Sequence, residues 1–521
     1  MYLHPLRNVF LAPATLYLLG LSALAFFFFQ TTLSLSFFWD DYELILRNQS
    51  LKDWKNIFCV FHDQSIMSFQ DQGFETQVYR PLRTLYFIIL VSIFGKTPQI
   101  FFGLNLFFHC LNTLLFKKTL DFFSPHKACF LKYALIFIFL FHPIHLENIN
   151  TAAGIADLLG TFFFLLAFLM GSKNSLLCTG HYTGRQLIGM GGLCYLAMLC
   201  KEIFITAPLI ILIGISHKSR LSFKPVLFLG MVSLIYLFQR QWVTGALAQK
   251  SLDFSIPAHI LYVFQTIGAY GVQFFFPVHL SQIYLAPDQE PWMFGIVPLL
   301  LGSFLSLGVI AWKQKQGWSV WFLAFFIALF PISNVIPINT FINDRLFYFP
   351  SLILLWFLFE IFRKEIKPVF RIALVGVGIF LLSACFYLGF QRNREWQDPA
   401  HIWKESYQNS SSPLALWNMV CFLFEKERYQ ELTQFFKTNT ITLPENFIPF
   451  YYRTLCVASL KIGLEEDGWF YYQTLIHAEK NTPFFSAKDW KEFLTFLETV
   501  HGNVKDQIYK ELMQRKRQEK G

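Results

Sequence analysis

Two carboxylates stand side by side in FFWDDYELI, Asp40 and Asp41, directly after a stretch from Val9 to Ser36 that is almost uncharged. Further polar clusters recur between apolar runs. Arg80 and Arg83 lie in VYRPLRTLYF; His142, His145, Glu147 and Asp157 in FHPIHLENINTAAGIADLLG; Lys201 and Glu202 in CKE; Asn343, Asp344 and Arg345 in INDRLFYFP. Carboxylates and cations gathered beside an oily region suit transfer of a sugar from a lipid phosphate carrier. A carboxylate accepts the proton of the attacking hydroxyl, and cations stabilise the departing phosphate. On this reading Asp40 or Asp41 is the base, while Lys201, Arg345 and Arg80 hold the phosphate. Adjacent aspartates in an extended turn point in different directions, so one is the base and the other orients an arginine or caps the helix at YELIL.

Each residue alone also has a structural explanation. Asp157 could cap a helix, Arg80 could snorkel, and Lys201 with Glu202 could form an interfacial ion pair. The collection as a whole is harder to dismiss, because ionisable groups at the edge of a low-dielectric region are costly. His142, His145, Asp157, Glu202 and Asp344 join it as candidate substrate contacts. His142 and His145 beside Glu147 have the spacing HxxHxE, not the helical HExxH pattern, and Pro143 argues against a regular helix through them. No metal ligand is therefore assigned and no cofactor identified, with a divalent metal left open. No Walker-type loop, GxSxG elbow or GxGxxG is present, which disfavours a soluble nucleotide-sugar donor.

The elements that must position these residues are helices in a bilayer. The 521 residues are 54% hydrophobic and only 15% charged, with 64 Phe, a composition that soluble proteins rarely show. Apolar runs of roughly 20 residues, the length a spanning helix needs, recur through the first three quarters. The first, Val9 to Gln30, reads as an uncleaved signal anchor, since no small-x-small cleavage site precedes Phe37, Phe38 and Trp39. The nine Cys are scattered through apolar runs without CxxC spacing and read as packing residues. The net charge of +9 falls mostly in short clusters that flank the apolar runs, so it marks membrane topology and no nucleic acid partner.

Lys and Arg concentrate in cytoplasmic loops. Placing Arg7, Lys117 to Lys132, Lys173 to Arg185, His217 to Lys224, Lys313 to Lys315 and Arg363 to Arg371 inside gives one consistent path. Residues 35–97 then form a long first outer loop with short membrane-lying segments. Further spans are expected near 98–117, 128–144, 151–171, 186–200, 202–216, 225–243, 293–312, 317–333, 346–362 and 369–389. The total is about eleven, with the tail outside. The run Ile256 to Phe276 breaks this count if it spans, and reads as a re-entrant or interfacial helix. The short runs on either side of Lys201 and Glu202 read as a helical hairpin with its turn on the outer side.

Residues 1–390 thus form the membrane domain, and from 391 to 521 charge, Trp and Tyr rise and amphipathic patterns take over. Pro413, Pro449 and Pro483 lie 36 and 34 residues apart, near the period of tetratricopeptide helix pairs, although the match is degenerate. The terminal KELMQRKRQEK is a solvated helix end whose charges could touch anionic lipid. The fold class is all-α: a polytopic membrane protein with a C-terminal soluble helical-repeat domain resembling tetratricopeptide repeats.

WDDYELI, YRPLRTLYF, HPIHLENINTAAGIADLLG, CKE and NDRLFYFPS occur in the order seen in membrane glycosyltransferases of the GT-C class. The chain most resembles the transmembrane and tetratricopeptide-repeat O-mannosyltransferases and their bacterial relatives, through five motifs over about residues 30–390. The resemblance implies a GT-C fold and a polyprenyl or dolichyl phosphate sugar donor, often mannose. It also implies inversion at the anomeric carbon and repeats that present a protein acceptor. It matches Asp40 or Asp41 to the catalytic acidic motif, Glu147 to the acidic residue of the second outer loop, and Lys201 with Arg345 to positions near the lipid phosphate. This chain departs in its short, degenerate repeats, which leave the acceptor as protein or glycan. It also departs at Gly154 and Ile155, where an arginine is expected before ADLLG.

The expected partners are a polyprenyl-phosphate-linked sugar, the acceptor and membrane lipid. The expected location is a bacterial inner membrane with site and tail on the periplasmic side, or the equivalent lumenal face. A lipid-linked sugar transporter or flippase is the alternative, but transporters carry charges near the midplane and show inverted repeats. An inactive scaffold binding a partner through the helical tail gives no reason for the collected charges.

Overall fold

A computed structural model of the chain describes residues 24–67, 78–123, 129–176, 182–216, 223–245, 255–285, 317–338, 340–363, 368–439, 448–481 and 487–518. A few positions between 302 and 313, and 441 and 443, are also described. Residues 9–23 of the expected signal anchor, most of the expected span 293–312, Pro483, Arg7, Lys315 and parts of the other basic loops lie outside the described residues. Helices account for the regular structure there, with no strand among the described residues. Backbone contacts divide the chain into two compact units, Met1–Gln397 and Asp398–Gly521.

In the first unit, an apolar helical segment Leu24–Ser34 leads into a loop with one short helix, α1 (Asn56–Cys59). Then follow α2 (Pro81–Phe94), α3 (Pro98–Phe123), α4 (Cys129–Phe141), α5 (Leu146–Asn150), α6 (Ile155–Leu176), α7 (Gly184–Cys200) and α8 (Ala207–Ser216). The unit continues with α9 (Phe223–Thr244), α10 (Ile256–Phe275), α11 (Gly317–Leu329), α12 (Tyr348–Phe362) and α13 (Pro368–Glu395). Four stretches among the described residues are long and apolar enough to cross a membrane: Pro98–Phe122, Ala152–Ser172, Phe223–Thr244 and Asp344–Phe362. Phe130–Phe141 and Pro143–Asn150, bent by 42° between them, make a fifth if counted as one broken span. The protein is a membrane protein. Ile256–Phe275 is one unbroken helix, so no re-entrant turn lies within it; Pro257 sits in its first turn, where proline costs no hydrogen bond.

The sequence of α12, YFPSLILLWFLFEIF, is apolar on nearly every side, as a helix enclosed by others must be. Tyr348 to Phe357 are buried, and Trp356 packs on Trp321 of α11 and Phe168 of α6. Side-chain amides on α3 tie this core to the turns above it. The Asn105 Nδ2 group donates to the carbonyls of Asn148, Ile149 and Thr151, and that of Asn112 to the carbonyl of Leu158. Backbone carbonyls at a turn buried in low dielectric need such partners.

The second unit comprises α14 (Pro399–Ser410), α15 (Pro413–Glu425), α16 (Tyr429–Thr438), α17 (Ile448–Lys461), α18 (Glu465–Asn481), α19 (Ala487–Glu498) and α20 (Asn503–Gln518). Successive helices pack along the chain from α14 to α18. Pro413 and Pro449 each stand in the first turn of a helix. Arg428 joins the start of α16 to that of α14 by pairing both Asp398 oxygens at 2.6 and 3.0 Å.

Candidate active site

The double aspartate sits in a tight turn whose carbonyls at Phe38 and Trp39 accept from the amides of Asp41 and Tyr42. Trp39 has a φ of +44°, left-handed backbone that a bulky residue adopts only under constraint. The turn sends the two carboxylates to different environments. Asp41 is fully buried; its Oδ2 accepts from the Phe38 amide at 3.3 Å and its Oδ1 from the Ala153 amide at 3.2 Å. Burial pushes its carboxyl up to about 7, against the opposing pull of those backbone N–H groups. Asp40 keeps 33% of its side-chain surface and lies 2.8 Å from Arg345 Nη1. Of the two, only Asp40 can meet a substrate. Asp41 fastens the first loop to the turn that follows α5.

That turn grips Arg345 from the other side. His142 breaks the chain out of α4, and Pro143 starts a single 3-10 turn before α5. Glu147 Oε2 accepts from the Arg345 amide at 3.3 Å, and Asn148 Nδ2 donates to the Arg345 carbonyl at 3.0 Å. Glu147 Oε1 lies 3.7 Å from the guanidinium. One arginine therefore faces Asp40 and Glu147 together, its backbone pinned on both sides.

The CKE segment divides two neighbouring charges between two partners. Lys201 takes extended backbone, φ −161° and ψ 140°, which ends α7 and turns its side chain away from that of Glu202. Lys201 Nζ lies 2.8 and 2.6 Å from the two oxygens of Asp157, and both side chains are buried. Burial pushes the Lys201 ammonium down to about 8, although Asp157 pulls the other way. Glu202 instead takes Arg80, through Nε at 2.9 Å and Nη2 at 2.5 Å, a two-point pair that stays partly open to solvent. Lys201 and Glu202 are thus not paired with each other.

The expectations for several residues need correction. Lys201 is fully engaged by Asp157 beneath the site, so its positive charge acts on a ligand through that pair and not by direct contact; Asp157 is likewise committed. His142 and His145 are not free contacts. His142 Nε2 bonds the Phe274 carbonyl at 2.9 Å and its Nδ1 accepts from the Ile144 amide, with the ring stacked on Phe274. His145 bonds the Phe139 carbonyl and Ser351 Oγ, at 2.8 and 2.9 Å. Asp344 is buried and receives the Tyr284 hydroxyl at 2.8 Å, so it braces the loop. No cluster of His, Cys, Asp and Glu suited to a metal occurs among the described residues.

Three residues escaped sequence reasoning. Asn148 gave no signal beyond lying next to Glu147, and Tyr284 gave none. Arg83, visible in YRPLR, is buried one turn below Arg80 and donates from Nη2 to the Met67 carbonyl at 3.2 Å. The open part of the arrangement is therefore Asp40 with Arg345 and Arg80 with Glu202, supported from below by Asp41, Glu147, Lys201 and Asp157. A carboxylate and two guanidiniums at a partly wet edge can take a proton from one group and hold an anion beside it.

Comparison with known proteins bears on this chemistry. No family model matches the chain, and no solved structure does. The chain is 23% identical to protein O-mannosyl-transferase TMTC3 of Homo sapiens over 469 residues, 80% of this chain and 50% of that protein. It is 23% identical to protein O-mannosyl-transferase Tmtc3 of Drosophila melanogaster over 492 residues, 76% of this chain and 52% of that protein. Identity to protein O-mannosyl-transferase TMTC1 of Homo sapiens rises to 37% over a segment of 100 residues, 18% of this chain and 11% of that protein. The chain spans about half the length of the longest-matching relatives. Over most of its own length, it is thus a homologue of the transmembrane and tetratricopeptide-repeat protein O-mannosyl-transferases.

Proposed function

We propose that the protein is a GT-C membrane glycosyltransferase moving a sugar, mannose by analogy with its homologues' names, from a polyprenyl or dolichyl phosphate to an acceptor hydroxyl on a protein or glycan. The observation that carries this reading is the unequal pair of aspartates, a buried Asp41 and a half-open Asp40 held against Arg345. In the step we envisage, Asp40 takes the proton as the acceptor oxygen bonds to the anomeric carbon. The carbon–oxygen bond to the phosphate breaks on the opposite face, giving inversion. Arg345 and Arg80 take up the charge that develops on the leaving phosphate, and Lys201 adds its field from below. Glu147 holds Arg345 in place.

In the same reading the membrane body has about eleven spans with the site on the face opposite the basic loops, the periplasm in a bacterial inner membrane. The second unit is a degenerate tetratricopeptide-like array on that face that receives the acceptor. The helices found at ten of the expected positions among the described residues support this count in outline. The test is donor consumption by the purified full chain in detergent, with polyprenyl-phosphate-mannose and other lipid-phosphate sugars. Turnover that disappears in Arg345→Ala supports the reading. Inertness toward every such donor, with and without peptide acceptors, overturns it.

A further inference from the structure

The first loop carries a feature that sugar transfer does not use. Residues 49–67 form a compact knuckle: Leu51 and Val60 are buried, Asn56 Nδ2 donates to the Ser50 carbonyl at 2.7 Å, and Asn48 Nδ2 to the Ile66 carbonyl at 3.0 Å. Yet its tip exposes Trp54 at 62% and Phe58 at 72%, four residues apart and so on one side of the turn and helix at 54–59. Lys52 and Lys55 are exposed beside them. Asp53 turns its carboxylate back to the Lys55 amide at 3.0 Å, and Asp63 does the same for Ser65. The tip thus presents two aromatic rings with two ammonium groups.

We propose that this tip is a membrane-surface dock, inserting Trp54 and Phe58 at the headgroup–acyl boundary of the leaflet on the site's side, with Lys52 and Lys55 on lipid phosphates. Trp rings, with an apolar body and a polar N–H, collect at that level, and lysines reach from it to phosphate. Continuity with an apolar face supports a lipid over a protein occupant. The knuckle packs against α2, which exposes Ile89, Ile93 and Phe94. With 14 residues, α2 is about 21 Å long, too short to cross a hydrocarbon core of about 30 Å, so it is suited to lie at the surface.

The dock is wired to the site. The Tyr79 hydroxyl donates to the Phe61 carbonyl at 3.0 Å, Arg83 donates to the Met67 carbonyl, and Arg80 begins α2. Seating the knuckle therefore sets the height of Arg80 over the leaflet.

The test uses the full chain in phospholipid nanodiscs and needs no sugar transfer, so it stands apart from the proposed activity. Tryptophan fluorescence of the wild type minus that of Trp54→Phe isolates the Trp54 signal. Lipids brominated high on the acyl chain should quench it, aqueous iodide should not, and Phe58→Asp should return it to iodide. Quenching by iodide alone places Trp54 in water and overturns the proposal. Protection from both quenchers means that protein covers the tip, a second copy if cross-linking through that tip yields a dimer, and overturns it equally.

Discussion

Replacing each aspartate by asparagine separates base from brace. Asp40→Asn removes the proton acceptor and leaves its fold almost unchanged. The pair with Arg345 is partly exposed, so its loss costs about 1 kcal/mol or less, and Arg345 keeps its backbone bonds to Glu147 and Asn148. The expected loss in kcat is ~100- to ~10,000-fold, the range a positioned base supplies. Asp41→Asn acts differently. The amide keeps one acceptor oxygen but turns an NH2 toward the second backbone donor, leaving the Phe38 or Ala153 amide buried without a partner. That costs about 1–3 kcal/mol and loosens the turn carrying Asp40. The assay is single-turnover transfer from polyprenyl-phosphate-mannose, with thermal unfolding of the same preparations. Asp40→Asn should be inactive at wild-type Tm, and Asp41→Asn should lose Tm together with part of its rate. An Asp40→Asn enzyme keeping more than about a tenth of wild-type kcat, beside a stable but silent Asp41→Asn, would refute the assignment.

Stability should also report Asp41 through pH. Its folded pKa, about 7, lies above the ordinary carboxyl value, so the fold binds the proton more tightly than the unfolded chain. Stability from this group is present at low pH, declines from about pH 4 to about 7 and is level above; unfolding midpoints should show that slope in wild type and lack it in Asp41→Asn. Lys201→Met strands Asp157 in a buried site and should cost about 3–5 kcal/mol, whereas Lys201→Met with Asp157→Leu should recover much of it, read by thermal unfolding in detergent. Arg80→Ala removes a half-open two-point cation and should lower kcat/KM for the lipid donor about 10- to 100-fold, a loss absent if Arg80 serves only Glu202.

The apolar runs were legible because a helix crossing lipid must satisfy its backbone internally, which leaves a long unbroken signature in composition. The charged clusters were legible for the converse reason, that charge beside lipid needs a purpose. Their pairing was not. Lys201 and Glu202 are neighbours in CKE, and only the extended backbone at Lys201 sends one to Asp157 and the other to Arg80. The histidines misled because their type suits chemistry, while both nitrogens of each ring are spent on backbone and hydroxyl groups that adjacent residues do not reveal. Which aspartate is open depends on a left-handed Trp39, a conformation that no rule of residue preference predicts.

A buried knot of amides adds a constraint in time. Thr32 Oγ1 donates to Asn150 Oδ1 at 3.0 Å, Asn150 Nδ2 to Asn393 Oδ1 at 2.8 Å, and Asn393 Nδ2 back to the Phe28 carbonyl at 2.8 Å. Its strands are 118, 243 and 365 residues apart along the chain. Contacts that distant form late, after the entropy of closing the intervening chain has been met. The ribosome has made the whole membrane body before Asn393 exists to close the knot. The first loop, with Asp40 at its head, is thus moored only by the last helix of that body, and a nascent chain stopped short of residue 393 holds its base on an open mooring.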